Sequence, residues 1–418
     1  MWTRALDGFL RDIIREGQLK VTDAQGQSRT YGNGTGGNGT GEAVHVTLKD
    51  PSLARRIVLS PDMAVGEGYM DGDLVIADDD LHGFLGLVIR NIAQHGKPGF
   101  QRPFDRGRFA LRYLAQFNPM SRARSNVAHH YDLSRELYDL FLDADRQYSC
   151  AYFAHPDMTL DQAQEAKKAH IAEKLLIEPD MHVLDIGCGW GGMALTLARD
   201  YGARVTGVTL SREQHALATE RAEKAGLSDR VDFRMTDYRQ LEGQFDRIVS
   251  VGMFEHVGVP QYAEYFRNVR ERLTDTGIAL IHTIGRSAPP GITSPWITRY
   301  IFPGGYVPAM SEVLPHIERH DMYATDIEIW RLHYARTLRN WYDRFMANID
   351  KARDLYDDRF CRMWRYYLVA SELTFRLNKQ VVFQFQLSKV QDSVPLTRDY
   401  LYNDDAKPRH KGQMARGA

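Results

Sequence analysis

A glycine-rich segment that follows an apolar run has the residue types of a nucleotide-binding turn. It reads Val183-Leu-Asp-Ile-Gly-Cys-Gly-Trp-Gly-Gly192, with an acid, Asp185, inside the preceding predicted strand. Glycines at this spacing let the backbone approach a ligand closely at the carboxyl end of a parallel strand. So dense a glycine turn predicts a ligand site rather than a simple connection between two elements.

The segment after the next predicted strand indicates which of two nucleotide-like ligands the turn binds. Dinucleotide-binding proteins carry an acid near this point that holds the ribose hydroxyls. This chain instead has Val208-Thr-Leu-Ser211. The glycine turn therefore favours S-adenosylmethionine (SAM) over NAD.

The elements around this turn alternate between strand and helix, as in a parallel sheet with crossover helices. The sequence predicts helices at 160–176 and 213–225, and strands at 183–186, 204–208, 231–235, 247–251 and 278–281. Residues 381–387 alternate in their second half and predict an antiparallel edge strand. The fold class is therefore α/β.

Length, charge and cysteine content restrict the kind of protein. The 418 residues favour two domains, and 53 basic against 54 acidic side chains create no overall attraction to nucleic acid. Three cysteines, Cys150, Cys188 and Cys361, are too few for a disulfide scaffold or a multi-cysteine zinc site, so no metal is predicted. Without a long apolar run or a signal peptide, we expect a soluble cytoplasmic protein.

Two segments before residue 125 are candidates for contact with a surface. Residues 2–14 predict an amphipathic helix that packs on its own domain or contacts a membrane or a second copy. Residues 97–124 carry seven basic side chains, one acid and interleaved aromatic residues. This composition fits nucleic acid, an anionic lipid surface or a solvated linker helix. The glycines of 32–41 lack the ending of a phosphate loop and predict a surface loop.

Further motifs make the chain resemble one family. The glycine turn resembles motif I of class I SAM-dependent methyltransferases, and seven other segments narrow the resemblance to the cyclopropane-fatty-acyl-phospholipid synthases and the related mycolic-acid enzymes. These segments are His130-Tyr-Asp-Leu133, Gln147-Tyr-Ser-Cys-Ala-Tyr152, Val208-Thr-Leu-Ser211, Val251-Gly-Met-Phe-Glu-His-Val-Gly258, Leu280-Ile-His-Thr-Ile-Gly285, Ile301-Phe-Pro-Gly-Gly305 and His333-Tyr-Ala-Arg-Thr-Leu338.

The resemblance implies an architecture as well as a fold. It implies a Rossmann-like class I SAM-methyltransferase domain with a smaller N-terminal α/β domain. We expect residues 1–115 to form a lipid-binding, membrane-binding or dimerisation domain and residues 116–403 to form the catalytic domain. The polar residues 404–418 are expected to be a disordered tail. A homodimer through the smaller domain is implied.

The resemblance also implies a reaction and a catalytic set. A methyl carbon passes from SAM to a cis double bond in a phospholipid acyl chain, and a bound bicarbonate acts as the base that allows the ring to close. The implied bicarbonate ligands are Cys150, Glu255, His282, the backbone of Ile284, and Tyr334. Taken singly, Cys150 and His282 could be packing residues, and Glu255 could belong to a helix N-terminus.

The cofactor contacts implied by the resemblance follow the first three predicted strands of the sheet. Gln214 is expected to bond the ribose hydroxyls in place of the usual acid, and Asp237 borders the adenine or caps its loop. The full set is Tyr131, Tyr148, Ser149, Asp185, Gly187, Cys188, Gly189, Trp190, Gly191, Thr209, Leu210, Gln214, Asp237 and Tyr238.

The implied substrate lies in a membrane, so we expect peripheral contact with its inner face. Residues 289–310, rich in proline and aromatic side chains, could cover the acyl chain or form a long surface loop. Ser371 and Glu372 stand where many relatives carry Cys-Ala, which predicts a change in the pocket or a partner surface. This departure keeps open a sister activity that yields a methylene, methyl-branched or furan-precursor lipid.

Three other classes of protein fit the sequence less well. A nucleic-acid methyltransferase would use the basic segment, but it is accompanied by no Asn/Asp-Pro-Pro-aromatic site. An NAD oxidoreductase lacks its ribose-binding acid. A non-catalytic lipid-binding protein would not require both the glycine turn and the set formed by Glu255, His282 and Tyr334.

Overall fold

The computed structural model describes residues 1–34, 43–116 and 134–402 of the chain. Most of the glycine segment at 32–41, the end of the basic segment, Tyr131 and the tail from residue 404 lie outside these ranges. The predictions made for them stay predictions.

The described helices are numbered here in chain order. They are α1 (Trp2–Ile13), α2 (Leu53–Leu59), α3 (Pro61–Asp71), α4 (Leu81–His95), α5 (Arg102–Ala110), α6 (Arg112–Gln116), α7 (Arg135–Asp139), α8 (Leu160–Lys174), α9 (Gly192–Tyr201), α10 (Arg212–Lys224), α11 (Tyr262–Arg272), α12 (Pro295–Tyr300), α13 (Met310–Arg319), α14 (His333–Ala347), α15 (Ile349–Leu355), α16 (Asp358–Leu377) and α17 (Asp399–Tyr402).

The described strands form two sheets. They are β1 (Leu19–Thr22), β2 (Ser28–Tyr31), β3 (Val44–Leu48), β4 (Leu74–Ile76), β5 (His182–Ile186), β6 (Arg204–Thr209), β7 (Val231–Met235), β8 (Phe245–Val251), β9 (Leu273–Arg286), β10 (Tyr323–Trp330) and β11 (Gln380–Ser388). Short 3₁₀ turns include Tyr238–Gln240 and Phe254–His256.

The chain divides into two compact units. Unit 1 comprises Met1–Arg112, Ile292–Pro303 and Ala335–Gln380, and unit 2 comprises Tyr113–Gly291, Gly304–Tyr334 and Val381–Ala418. The two later segments of unit 1 lie inside the range 116–403 expected from the sequence for one domain. The division into one domain of residues 1–115 and another of residues 116–403 stays a prediction.

Unit 2 is built on a seven-stranded sheet with the order β10-β11-β9-β8-β5-β6-β7. The pairs β5–β6, β6–β7, β5–β8 and β8–β9 are parallel. The strands contribute side chains to two apolar clusters, one on each face of the sheet. Leu184 and Ile186 pack in one cluster, and Val183 and Val205 pack in the other. Strands buried on both faces are typical of a parallel sheet covered by helices. The predicted α/β, Rossmann-like fold is confirmed.

The predicted edge position of the last strand is wrong. β11 lies between β10 and β9, and its antiparallel pairing is with β10, which occupies the edge. All but the first residue of β11 are buried, including Gln384 and Gln386. The polar residues that suggested an exposed face are internal. The Gln384 amide nitrogen bonds to His282 on β9, and that of Gln386 bonds to the Lys174 carbonyl on α8 and the Tyr400 hydroxyl on α17.

Unit 1 contains a four-stranded sheet with the order β2-β1-β3-β4, in which β1 and β3 are parallel. The predicted N-terminal helix is confirmed as α1, which buries Leu6, Phe9 and Ile13. It packs on α2 in the same unit, as the first of the alternatives predicted. Glu372 is also buried, and it pairs with His82 at 3.2 Å and with Arg376 at 2.6 Å inside unit 1. It therefore forms an internal ion-pair network.

The described ranges lack two features, a membrane-crossing helix and a cluster of metal-ligating side chains. No helix there is both long and apolar enough to cross a bilayer. In the same ranges, no three His, Cys, Asp or Glu side chains are grouped so that they could hold a metal ion.

Candidate active site

A cavity opens at the carboxyl ends of β5, β6, β7 and β8, and we call it the glycine-turn cavity. Nearly all of the predicted cofactor residues line it: Tyr148, Ser149, Asp185, Gly187, Cys188, Gly189, Trp190, Thr209, Leu210, Gln214, Asp237 and Tyr238. Gly191 is the N-cap of α9 and is not among the lining residues. Parallel strands place their carboxyl ends at one edge, which brings these distant segments together.

Two glycines of the turn are required by geometry. Gly187 and Gly191 have φ angles of 79° and 84°, which side chains rarely adopt. A Cβ on Gly187 would lie 2.9 Å from Met253, and one on Gly191 would lie 2.7 Å from Phe233. The backbone at this turn can therefore approach a ligand only because these side chains are absent.

Asp185 fits a cationic ligand group. It is buried in β5, and its Oδ2 has no hydrogen-bond partner among the described residues. Burial raises the pKa of this carboxyl to about 7, although the Lys167 ammonium opposes the shift. An unpartnered buried carboxylate is costly alone. The amino group and sulfonium of SAM have the charge that would satisfy it.

The residues after β6 and β7 provide polar groups for a nucleoside. Gln214 is buried at the start of α10, and its Oε1 accepts a hydrogen bond from Thr209 Oγ1 at 2.9 Å. Among the described residues its side-chain nitrogen has no partner, so it can donate to a hydroxyl. Asp237 caps the turn Tyr238–Gln240 and holds Arg239 through both carboxylate oxygens, at 2.8 and 2.7 Å. It thus lines the cavity and also has the loop-capping role.

Several lining residues were not singled out from the sequence. They are Arg146, Gln147, Ile186, Met193, Val208, Thr236, Arg239, Val251, Gly252, Met253, His256, Val257 and Gln261. Gln147, Met253 and His256 belong to motifs already identified. Membership of these motifs was the sequence feature that could have indicated their place in the cavity. Burial lowers the pKa of His256 to about 4, so the cavity contains a neutral imidazole at this point.

The five residues implied as bicarbonate ligands are Cys150, Glu255, His282, Ile284 and Tyr334, and we call them the Glu255 cluster. Cys150 and Glu255 are chain neighbours of Ser149 and His256, which line the cavity. Glu255 is in the turn Phe254–His256, and its Oε1 accepts a hydrogen bond from the backbone nitrogen of Ile284 at 2.7 Å. Its Oε2 is buried and has no partner among the described residues. Burial raises the pKa of Glu255 to about 7, although the Ile284 amide opposes the shift.

His282 has a fixed environment on β9. It is 2% exposed, its Nδ1 lies 3.1 Å from Gln384 Nε2, and the ring packs edge-to-face on Trp330 at 5.0 Å. Burial holds its pKa well below the ordinary value, so the imidazole is neutral. With the Gln384 amide donating to Nδ1, the proton is on Nε2, which can donate to an anion.

One backbone contact links His282 on β9 to the segment that carries Glu255. Gly252 donates its amide to the His282 carbonyl at 2.9 Å, and a Cβ on Gly252 would lie 3.9 Å from Ser149. Cys150 is fully buried, and Tyr334 is 9% exposed at the start of α14. The neighbouring His333 accepts a hydrogen bond from the Phe153 amide at 3.0 Å. No member of the Glu255 cluster is among the residues that line the glycine-turn cavity.

The backbone of Ile284, one of the expected bicarbonate ligands, already has hydrogen-bond partners within the protein. The Ile284 amide donates to Glu255, and the Ile284 carbonyl accepts from Thr283 Oγ1 at 3.1 Å. Ile284 therefore orients Glu255 in this structure. The free Glu255 Oε2 and the His282 Nε2–H offer one acceptor and one donor, which is a set that fits a small anion carrying one proton.

The chain is similar to known proteins over most of its length. The family model for mycolic acid cyclopropane synthetase matches residues 119–385. The cyclopropane-fatty-acyl-phospholipid synthase of Escherichia coli K12 is 40% identical over 354 residues, which are 84% of this chain and 89% of that protein. A probable fatty acid methyltransferase of Pseudomonas putida is 35% identical over 380 residues, 87% of this chain and 93% of that protein.

Solved structures show the same relationship. The cyclopropane synthase MmaA2 of Mycobacterium tuberculosis is 31% identical with a TM-score of 0.62, covering 65% of this chain and 99% of that one. Mycolic acid cyclopropane synthase CmaA1, complexed with SAH and CTAB, is 32% identical with a TM-score of 0.61 over the same shares. The chain belongs to the mycolic acid cyclopropane synthetase family and is a SAM-dependent methyltransferase.

Proposed function

We propose that this enzyme adds a methylene carbon from SAM across the cis double bond of an unsaturated phospholipid acyl chain, giving a cyclopropane fatty acid. The observation that carries the proposal is the buried, unpartnered Oε2 of Glu255 beside the glycine-turn cavity. Ring closure requires a proton to leave the transferred carbon, so a site for a base must lie next to the methyl donor. Support for a phospholipid substrate comes from the name of the E. coli relative.

The glycine-turn cavity would hold the cofactor. Bound SAM supplies an electrophilic methyl group. The backbone of 185–192 would face its amino-acid end, with the Asp185 carboxylate near the positive charge. Gln214 would donate to the ribose hydroxyls, and Tyr238 would border the adenine. Closing this cavity around the donor excludes water, which matters because an alkene is a weak nucleophile.

The Glu255 cluster would hold bicarbonate. Bound bicarbonate supplies the base that accepts the departing proton. Glu255 Oε2 would accept its hydroxyl, and His282 Nε2 and the Tyr334 hydroxyl would donate to its oxygens. Ile284 acts through Glu255, whose carboxylate it orients at 2.7 Å. Cys150 needs no nucleophilic role, because no step requires attack by a thiol.

The segment 289–310 would cover the acyl chain. Two of its aromatic residues, Trp296 and Tyr306, are buried: Trp296 packs in unit 1 with its Nε1 3.3 Å from Met70 Sδ. In unit 2, the Tyr306 amide donates to the Glu255 carbonyl at 2.9 Å. This contact supports a cover adjacent to the proposed base.

A membrane contact is proposed for the basic segment. Within unit 1, Phe104 and Leu111 are 70% and 60% exposed. Arg106 and Arg108 are also exposed, and Arg112 stacks over Phe109 at 3.7 Å. Apolar side chains among cations fit an anionic bilayer surface. Binding to liposomes rich in phosphatidylglycerol should weaken as salt rises, and salt-insensitive binding would contradict this role.

We also propose an oligomeric state and a cellular location for the enzyme. The resemblance supports a homodimer and a cytoplasmic enzyme that contacts the inner face of the membrane. Sedimentation of the purified chain at several concentrations tests the dimer. A single monomeric species throughout would contradict it.

Lipid mass spectrometry tests the function. The enzyme is incubated with SAM, bicarbonate and vesicles of a monounsaturated phospholipid, and the acyl chain should gain one CH₂ unit. Chromatography against cyclopropane and methylene standards then identifies the product. A methylene, methyl-branched or furan-precursor product would replace the proposal with the sister activity. The chain is 40% identical to the E. coli synthase and 35% identical to the P. putida probable fatty acid methyltransferase, which favours the cyclopropane product.

A further inference from the structure

The helix before the glycine turn, α8, buries an unusual row of polar side chains. Gln164, Lys167, Lys168 and Lys174 are each 2% exposed or less. Lysine is rarely fully buried unless it is paired. Lys168 pairs with Asp145 and Glu165, and Lys174 pairs with Glu328. Lys167 differs from both, because it makes its hydrogen bonds with neutral side chains.

Lys167 holds two residues that line the glycine-turn cavity. Its Nζ donates to Gln147 Oε1 at 2.6 Å and to Ser149 Oγ at 2.8 Å. One turn earlier, Gln164 Nε2 donates to the carbonyls of the same two residues, at 3.2 and 3.0 Å. Helix α8 therefore fixes both the backbone and the side chains of this part of the cavity wall.

Lys167 is also a buried positive charge that opposes the rise that burial causes in the pKa of Asp185, although the opposite charge that acts most strongly on Lys167 is that of Asp143. The titratable groups around it come from four parts of the chain: Lys168 on α8, Asp143, Asp145 and Cys150 on the preceding segment, Asp185 on β5 and His282 on β9. Asp145 is already held by Lys168 and Arg221. Asp185 has no hydrogen-bond partner among the described residues, and its other titratable neighbour is the neutral thiol of Cys188.

We propose that Lys167 is a positioning residue for SAM: its ammonium holds Gln147 and Ser149 in the cavity wall and favours the ionised form of Asp185. The inference rests on the proposed cofactor role of Asp185. Lys167 does not line the cavity, so it acts through these three residues rather than by touching the cofactor. This positioning role gives a function to Lys167, a side chain that no step of the proposed chemistry uses.

A dependence of SAM binding on pH follows. Burial raises the pKa of Asp185 to about 7, so wild-type affinity should weaken as the pH falls through that value and the carboxylate becomes neutral. Burial lowers the pKa of Lys167 to about 8, so its ammonium is present where Asp185 titrates. Removing this charge raises the pKa of Asp185 further, and the loss of affinity should begin at a higher pH.

The test is calorimetric titration of SAM into the full-length chain between pH 6 and 9, without lipid. For Lys167→Met we expect SAM affinity at pH 7 to fall about tenfold and the midpoint of the pH dependence to rise by about one unit. The matched control is Lys168→Met, which removes a buried cation from the same helix. Its midpoint should remain that of the wild type, whatever its cost in stability.

Two further variants keep the proposal falsifiable if Lys167→Met does not fold. Lys167→Arg retains the charge and should keep the wild-type midpoint, whereas Lys167→Gln keeps polar contacts and should shift it upward. Equal midpoints for these two variants, or an unshifted midpoint in folded Lys167→Met, would overturn the inference. Because SAM binding is measured without lipid, an unexpected lipid product would contradict the proposed function and leave this result intact.

Discussion

The glycine-turn cavity and the Glu255 cluster lie side by side in unit 2, but they are built differently. The cavity is shaped by backbone: Gly187 and Gly191 have left-handed φ angles, and nearby side chains fill the space that a Cβ would need. The Glu255 cluster is shaped by side chains from β9, β11 and the turn after β8, joined by hydrogen bonds across the sheet.

This difference separates binding from chemistry. Changes in the cavity should alter affinity for SAM, because its shape positions the ligand. Changes in the Glu255 cluster should leave that affinity and remove turnover, because its members do not line the cavity. The four predictions that follow test this separation, beginning with the largest effect.

Glu255→Gln and His282→Ala should each lower turnover by about 100-fold or more, the size typical of losing a general base or its support. SAM affinity, measured by calorimetry, should remain near the wild-type value. The control is Glu271→Gln, an exposed carboxylate on α11. Near-full activity in either cluster variant would break the assignment, and a parallel loss of SAM affinity would break the separation.

Gly187→Ala should weaken SAM binding and lower the free energy of unfolding by about 1–3 kcal/mol, because the new Cβ meets Met253, which also lines the cavity. Gly226→Ala is a matched control with a φ of 66° and no atom within 4 Å of the added Cβ. Both variants share the backbone cost, so their difference measures crowding. Equal SAM affinities in the two variants would contradict a cavity shaped by backbone.

Stability should depend on pH through Glu255. Its folded pKa of about 7 lies above the unfolded value near 4.5. The contribution of this group to stability is therefore full at low pH and is lost as pH rises through 7. Urea unfolding should show Glu255→Gln gaining about 1 kcal/mol or more on the wild type between pH 5 and pH 8. A constant difference between the two proteins would contradict a buried, titrating Glu255.

Glu372→Gln in unit 1 should have the smallest effect on catalysis. Burial alone would raise the pKa of Glu372, but hydrogen bonds from His82 and Arg376 outweigh it and lower the pKa. Loss of the charge should cost about 1–2 kcal/mol of stability above pH 5, since both partners reach solvent. SAM affinity and turnover per folded molecule should stay unchanged. A change in SAM affinity would contradict the separation, because affinity would then depend on a residue of unit 1 as well as on the cavity.

The sequence predicts the parts of the site that depend on neighbouring residues. The glycine turn and the strands before it are local patterns, and 12 of the 14 predicted cofactor residues line the cavity. Contacts between distant residues carry no such signal. The pairing of His282 with Gln384 spans 102 residues, and that of Lys167 with Ser149 depends on which face of α8 is buried. The internal position of β11 also could not follow from an alternating pattern, because glutamines whose amides bond to neighbouring elements inside the protein look the same in sequence as exposed ones.

The place of β11 between β9 and β10 has a consequence for synthesis of the chain. Until residues 380–388 have left the ribosome, β9 has an unpaired side, and β10 has no neighbour in the sheet. A nascent chain at that stage exposes strand edges that can pair with other chains. His282 also gains its Gln384 partner only then. A nascent chain that ends before Gln384 therefore lacks the hydrogen bond that fixes the imidazole proposed to hold the base.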